Sequence, residues 1–148
     1  LSLHDALPIL KRILFFIVCC IFSMHCIFSQ TLYIYGGEDH DVFLGKLNAS
    51  KYDSKSIWNE YGTYGSEYNT NSIWNEYGTY GSEYSSYSPF NSYASYPPVI
   101  VDEEGNFYGY FTVNKYKSKR ANFDLVNIIC EYYESIREDV DEWYDKIF

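Results

Sequence analysis

The sequence has little of the chemistry that most catalytic and metal sites use. It carries three histidines and four cysteines, and after residue 29 only His40 and Cys130 remain. With one thiol after residue 29, that part of the chain has no internal disulfide, so its stability comes from packing unless the thiol pairs between chains. No nucleotide-binding glycine loop with its lysine is present. We therefore predict no enzyme, no cofactor and no metal site.

Basic residues are also scarce. The chain has 11 Lys and Arg against 20 Asp and Glu, a net charge of -9. Without residues 1–29 it loses Lys11, Arg12 and Asp5, so the net charge becomes -10. Phosphate binding needs a basic footprint, which excludes nucleic acid and anionic lipid as main partners. The local exception is Lys115–Arg120, interpreted as a solvated connection rather than a phosphate site.

Residues 10–29 have the pattern of a secretory signal peptide. A basic start is followed by an apolar run and by a small residue before Gln30. A transmembrane anchor is the alternative, but Ser23 and His25 interrupt the apolar run and no stop-transfer charges follow. We therefore expect an exported protein, in the periplasm, on the cell surface or outside the cell, with no stable membrane insertion after cleavage.

The remaining chain divides by composition. Residues 1–9 lack an initiator methionine and resemble translated adapter sequence, so we interpret them as a non-native leader. Residues 30–148 form the predicted mature domain, which is long enough for one modest core. Within it we predict a repeat region at 52–96, a β-hairpin at 97–114 and a helix at 123–148.

Aromatic residues are abundant, and many belong to a tandem repeat. The chain has 18 Tyr, 10 Phe and 3 Trp. The block Ser56–Tyr68 reads SIWNEYGTYGSEY and recurs unchanged at Ser72–Tyr84, an offset of 16 residues. A degraded third copy, SPFNSY, follows at Ser88–Tyr93. A fixed period predicts one small structural unit copied in tandem.

The residues of each unit predict a short helical turn and then a tight turn. Ser56 and its equivalents can cap a helix by accepting a hydrogen bond from a backbone N–H two or three residues on. Pro89 in the third copy falls at the first helical position, where proline is tolerated. Gly62 and Gly78 are placed to end the helix in a left-handed conformation. Ala94 takes that place in the third copy, so its closing turn is expected to differ.

The repeat aromatics allow two interpretations. In the first, Trp58, Trp74 and Phe90 form the core of stacked units. Seven tyrosines back them: Tyr61, Tyr64, Tyr68, Tyr77, Tyr80, Tyr84 and Tyr93. In the second, some of the rings form a repeated ladder that faces a ligand, since Tyr, Ser, Gly and Asn make good recognition surfaces. The candidate ligand-binding residues are Trp58, Asn59, Tyr61, Tyr64, Trp74, Asn75, Tyr77, Tyr80 and Phe90.

The flanking segments predict an α+β fold in a small single domain. Thr31–Tyr35 and Asp41–Leu47 are β-prone runs that can pair as a hairpin. Pro98–Asp102 and Asn106–Val113 give a stronger hairpin, and aromatics on both faces of its second strand predict that both are covered. From residue 123 the period changes to that of one amphipathic helix. Its apolar stripe comprises Val126, Ile129, Tyr133, Ile136, Val140, Trp143 and Ile147.

One cluster of polar groups needs weighing. Glu38, Asp39, His40 and Asp41 could hold a cation, but their spacing matches no known ligand pattern, and a turn with mixed acids needs no metal. Cys130 lies beside the apolar stripe, where a buried and inert thiol is expected. An enzyme or metal site centred on His40 is therefore the last of three functional alternatives.

The repeat wording, together with Pro97–Asp102 and Gly105–Tyr110, resembles a group of mostly bacterial hypothetical proteins. The likeness spans roughly residues 42–120, and the group has no activity to carry over. The first functional expectation is a non-catalytic binding module or scaffold for a polysaccharide or another neutral envelope polymer. The second is a structural component that self-associates or joins another envelope protein, and a homo-oligomer is compatible with either.

Overall fold

The computed structural model describes residues 4, 6–13 and 30–148. The chain divides into two compact units, Leu1–Gln30 and Thr31–Phe148. In the first unit residues 6–13 are helical and are called α1. Most of the predicted signal peptide, residues 14–29, lies outside the described residues. Among those that are described, no helix is both long and apolar enough to cross a membrane.

The second unit contains one antiparallel sheet and two helices. Its strands are β1 (Leu32–Gly36), β2 (Val42–Lys46), β3 (Val99–Asp102) and β4 (Phe107–Tyr110), in the order β2-β1-β3-β4. The helices are α2 (Asp124–Glu138) and α3 (Val140–Ile147). The predicted α+β class is confirmed, and both predicted hairpins form.

The second hairpin is shorter and more open than predicted. Strand β4 ends at Tyr110 instead of Val113, because Tyr110 pairs onward with the segment around Arg120 in a parallel bridge. Gly109 has φ 129°, and a Cβ there would lie 2.5 Å from the Ala121 nitrogen, so the close approach requires glycine. Phe107 and Tyr108 are exposed. The prediction that both strand faces are covered was wrong.

The repeat units are chains of hydrogen-bonded turns, and residues 47–98 contain no helix. The predicted serine bond is present, because the Ser56 hydroxyl accepts from the Trp58 N–H at 3.1 Å. The Asn59 carbonyl then accepts from Gly62 N at 2.9 Å, while the Asn59 side chain accepts from Tyr61 N at 3.2 Å. Such local side-chain bonds compete with the helical ladder, so the short helices were a wrong prediction.

The glycines act through close approach. Gly62 and Gly78 are not among the residues with positive φ. Gly81 is the constrained position in its unit, because an added Cβ would lie 2.1 Å from the Asn75 carbonyl oxygen. Ala94 N donates to Asn91 O at 3.1 Å, as Gly78 N does to Asn75 O at 2.9 Å. The third turn therefore closes in the same way with alanine, contrary to expectation.

The centre of the core is a row of aromatic rings, one from each unit, here called the aromatic stack. Trp58 and Trp74 lie 5.8 Å apart between ring centroids, and Trp74 stacks on Phe90 at 6.0 Å. The Trp58 indole N–H donates to Leu47 O at 2.7 Å. Each indole N–H thus donates to a backbone carbonyl of an earlier segment while its ring is buried.

Backbone bonds attach the stack to the sheet at both ends. Lys46 N, at the end of β2, donates to Lys55 O at 2.7 Å, and Ile57 N donates to Lys46 O at 3.1 Å. At the other end Val113 N, in the segment that follows β4, donates to Pro89 O at 2.8 Å. The sheet therefore holds the first unit and the third unit in fixed positions.

The C-terminal segment packs over the aromatic stack as two helices, α2 and α3, instead of the single helix that was predicted. Tyr133 of α2 stacks on Phe90 at 4.4 Å, and Tyr144 of α3 lies 6.1 Å from Trp58. The break is at Asp139, whose backbone is not helical and whose carboxylate accepts from Glu142 N at 2.9 Å. An aspartate that caps a new helix explains the break in an otherwise continuous apolar stripe.

Candidate recognition surface

Two series of tyrosines project from the stack into solvent. Tyr61, Tyr77 and Tyr93 occupy one position of successive units and are 92%, 90% and 91% exposed. Tyr52, Tyr68 and Tyr84 occupy a second position and are 84%, 84% and 93% exposed. The 16-residue repeat therefore places exposed tyrosines at regular intervals on its outer surface, in addition to the buried rings of the core.

Each series is held by its own side-chain bond to the backbone. In the first, the Asn75 side chain accepts from Tyr77 N at 3.1 Å and donates to Asn69 O at 3.2 Å. In the second, the Ser66 hydroxyl accepts from Tyr68 N at 3.2 Å. Such turns fix the backbone at each exposed tyrosine, so the direction in which its side chain leaves the backbone is restricted.

The exposed rings line four consecutive clefts. The first, about 580 Å³, is lined by Tyr61 and Tyr68, and the second, about 430 Å³, by Tyr68 and Tyr77. The third, about 340 Å³, is lined by Tyr77 and Tyr84, and the fourth, about 600 Å³, by Tyr84 and Tyr93. Because neighbouring clefts share a tyrosine, these five rings form one continuous surface, here called the tyrosine band.

The tyrosine band is acidic. Glu60, Glu67, Glu76 and Glu83 lie along its clefts. The Glu60 carboxylate accepts a hydrogen bond from the Tyr61 phenol and raises the pKa of that phenol. Glu67 and Glu76 raise the pKa of Tyr68 and Tyr77 in the same way. The rings are therefore neutral hydrogen-bonding groups surrounded by negative charge.

Arg137 of α2 is the cation at the back of the first three clefts. Its Nη2 donates to Gly81 O at 2.8 Å, and its Nη1 lies 3.7 Å from a carboxylate oxygen of Glu76. The guanidinium carbon is 5.6 Å from the ring centroids of Phe90 and Tyr133. Arg137 therefore joins the second helix to the band and offsets part of its charge.

A fourth turn of the same kind follows β4, and its charge is reversed. Tyr116 N donates to the Asn114 side chain at 2.9 Å, and Lys117 N donates to Asn114 O at 3.2 Å. These are the bonds that Asn59, Asn75 and Asn91 make in the repeats. Tyr116 is 98% exposed. Lys115 stands where the first two units have glutamate and the third has serine.

The fourth turn borders a fifth cleft, of about 880 Å³. Four basic residues, Lys115, Lys117, Lys119 and Arg120, and one acidic residue, Glu131, line it, and it shares Val113 and Cys130 with the fourth cleft. We include this cleft in the tyrosine band, which then has an acidic end at the first cleft and a basic end at the fifth. The predicted solvated connection, Lys115–Arg120, is this basic end.

The predicted site residues are divided between the core and the surface. Trp58, Trp74 and Phe90 are 1%, 0% and 3% exposed, so they belong to the core and cannot stack on a ligand. Tyr64 packs edge-on against Phe43 at 4.9 Å, and Tyr80 is partly buried against the core. The amides of Asn59 and Asn75 are used within their turns. Tyr61 and Tyr77 are the predicted residues that face solvent.

Several surface tyrosines were missed or misplaced by the sequence analysis. Tyr68, Tyr84 and Tyr93 were expected to back the core, but they are almost fully exposed. Tyr52 and Tyr116, which are also exposed, were not among the predicted residues. The spacing Ser-x-Tyr at 50–52, 66–68 and 82–84 is a signal that could have identified the second series.

The groups with catalytic chemistry are engaged in structural contacts. The His40 Nε2 lies 3.1 Å from Pro97 O, and the Tyr96 phenol donates to Glu38. Burial raises the pKa of the free Cys130 thiol to about 11. Within the described ranges no three His, Cys, Asp or Glu side chains come together as metal ligands. Cys130 is therefore not poised as a nucleophile.

Comparison with known proteins gives no further guide to function. The chain matches no family model, no curated protein and no solved structure. Its likeness to bacterial hypothetical proteins stays an expectation from the repeat wording. The surface itself is therefore the basis for a functional proposal.

Proposed function

We propose that this is an exported, non-catalytic binding protein whose tyrosine band recognises an extended, uncharged polymer, with a polysaccharide as the best fit. The supporting observation is the regular series of exposed rings, each at least 84% exposed and each next to a cleft. Rigid amphipathic rings provide large contact area at low entropic cost, and their hydroxyls add hydrogen bonds.

The negative charge of the protein favours an uncharged polymer over a polyanion. The chain carries a net charge of -9, and glutamates line the clefts beside the rings. Polyanions such as nucleic acid or teichoic acid would be repelled along most of this surface. A neutral glycan avoids that repulsion and offers apolar ring faces and hydroxyl groups to the tyrosines and carboxylates.

The periodic arrangement favours a polymer over a small molecule. Four open clefts in series provide several weak contacts, and linked contacts raise the overall affinity without any deep pocket. A short oligomer that reaches one cleft should therefore bind far more weakly than a chain that spans all four. This length dependence separates the proposal from binding of a single small ligand.

The test is a polysaccharide array followed by pull-down on the neutral polymers that give a signal. The variant Tyr61→Ala/Tyr77→Ala/Tyr93→Ala should lose at least about tenfold in affinity, since each stacked ring contributes of order 1 kcal/mol. Phe107→Ala, an exposed aromatic on the sheet, is the matched control and should bind as the wild type does. Equal binding by the triple variant would overturn the proposal. Trp58→Ala and Trp74→Ala test only the core, because both rings are buried.

A further inference from the structure

We propose that the tyrosine band also binds a second copy of this chain, in a two-fold dimer in which the basic fifth cleft of each copy meets the acidic first cleft of the other. The proposal does not depend on recognition of a polymer, and a polymer and a second copy would compete for the same rings. It starts from the uneven distribution of charge along the band, because glutamates line the first four clefts and lysines line the fifth.

Two lysines of the basic end are not neutralised by an ion pair. Lys46 pairs with Asp53 at 2.7 Å, and Lys146 pairs with Glu142 at 2.8 Å. By contrast, Lys115 and Lys119 make no ion pair with any described residue. Lys115 lies next to Tyr116, which is 98% exposed. Exposed lysines beside an exposed ring form a positive patch on a protein that is otherwise strongly acidic.

The acidic end carries the opposite arrangement. The first cleft is lined by Glu60, Glu67, Glu138 and Asp139 together with Tyr61 and Tyr68. Arg137, the basic residue that also lines this cleft, already bonds Gly81 O and lies beside Glu76. Glu60 and Glu67 are exposed, so a cation from outside can reach them. The two ends of one band are therefore complementary in charge.

A two-fold axis is the arrangement that satisfies both ends at once. In an isologous interface residue i meets residue j and residue j meets residue i. If two bands lie face to face in opposite directions, each basic end covers an acidic end and the tyrosines meet near the centre. The glutamates there have partners within their own chain, because Glu76 lies 3.7 Å from Arg137 and Glu83 accepts from the Tyr133 hydroxyl at 3.0 Å. Aromatic residues in the centre with charges at the rim are typical of protein interfaces. Complementary charge also fixes the register and excludes the parallel arrangement.

The test uses reciprocal charge reversals. Lys115→Glu/Lys119→Glu makes both ends acidic, and Glu60→Lys/Glu67→Lys makes both ends basic. Lys117 is left unchanged because its Nζ lies 4.9 Å from the Tyr110 ring centroid. By sedimentation at low salt, the wild type should form dimers, and each variant alone should dissociate about a hundredfold more readily because like charges then face each other. An equimolar mixture of the two variants should recover a dimer.

Several outcomes would overturn this inference. They are a wild type that is monomeric at high concentration and low salt, variants that dimerise as the wild type does, or a mixture that stays monomeric. Growth into larger species with concentration would exclude the two-fold arrangement, because head-to-tail contacts form open series. Unchanged circular dichroism and thermal unfolding of both variants serve as the folding control, and recovery in the mixture also excludes simple misfolding. Addition of salt should weaken the wild-type dimer.

Discussion

The indole N–H of Trp74 donates to the carbonyl oxygen of Ile57 at 2.6 Å, and Ile57 lies in the preceding unit. Both residues are fully buried. Trp74 therefore contributes a buried ring and also a hydrogen bond that joins two repeats. In this buried environment an unpaired Ile57 carbonyl would cost free energy.

This bond predicts the effect of Trp74→Phe. The substitution keeps an aromatic ring, as in Phe90 of the third unit, but it removes the donor and part of the buried volume. We expect the free energy of unfolding to fall by about 2 to 3 kcal/mol. Trp143→Phe is the control, since that indole is half-buried and stacks on Tyr132. Urea unfolding measures both, and equal losses would show that the Ile57 bond contributes nothing.

The glycines provide a second pair of variants with opposite outcomes. A Cβ at Gly81 would lie 2.1 Å from Asn75 O and 2.6 Å from Ile73 O, both backbone atoms that cannot move aside. A Cβ at Gly78 would lie 3.1 Å from the Asn75 side chain, and the third unit already has Ala94 at this place.

We therefore expect Gly81→Ala to destabilise the domain by about 3 kcal/mol, since forced overpacking of backbone is among the costly substitutions. Gly78→Ala should change stability by less than about 0.5 kcal/mol. Thermal and urea unfolding of the two single variants give the comparison. A tolerated Gly81→Ala would mean that the turn relaxes, and the close packing of the units would then need revision.

The sequence predicted those parts of the fold that depend on local pattern. Alternation and turn residues located both hairpins, and the 3.6-residue period located the C-terminal helical segment. It did not predict the turns of the repeat, because serine and asparagine favour helix caps and tight turns by the same hydrogen bonds. Ser56 makes the predicted bond, but the Asn59 side chain accepts a second one from Tyr61 N, and the segment forms a turn instead of a helix.

The candidate surface was harder to predict, since a repeat shows which residues recur but not which side they face. Trp58 and Tyr61 recur with the same period, yet one is buried and the other is exposed. The fourth turn was missed because β3 and β4 separate it from the third unit. Asn114 therefore follows Asn91 by 23 residues, and the period of 16 is lost.

Cys130 gives a prediction that depends on pH. Burial raises the pKa of its thiol from the ordinary value of 9.0 to about 11. At pH 8 the native thiolate fraction is then about a hundredfold lower than in the unfolded chain, so iodoacetamide should react about a hundredfold more slowly with native protein. Protein unfolded in urea is the control. Equal rates would show that the thiol is accessible and ionised.

The same shift has a definite sign for stability. Because the folded protein holds the thiol proton more tightly, this contribution is complete below pH 9 and is lost as the pH rises through about 11. Cys130→Ser keeps a hydroxyl near Thr112 O, the present partner of the thiol at 3.5 Å, and should remove this part of the alkaline loss. An identical alkaline profile in the variant would assign the loss to other groups.

The last prediction concerns Arg137, which donates a hydrogen bond to the second repeat and lies against two aromatic rings. Its Nη2 donates to Gly81 O at 2.8 Å, and its guanidinium faces Phe90 and Tyr133 at 5.6 Å. Arg137→Lys keeps the charge but loses the planar group, so we expect unfolding to become easier by about 2 kcal/mol, with Arg137→Met no worse. Lys146→Met, which alters an exposed ion pair, should cost less than about 0.5 kcal/mol. A lysine variant as stable as the wild type would show that charge alone is sufficient there, and that the planar contact between α2 and the stack is dispensable.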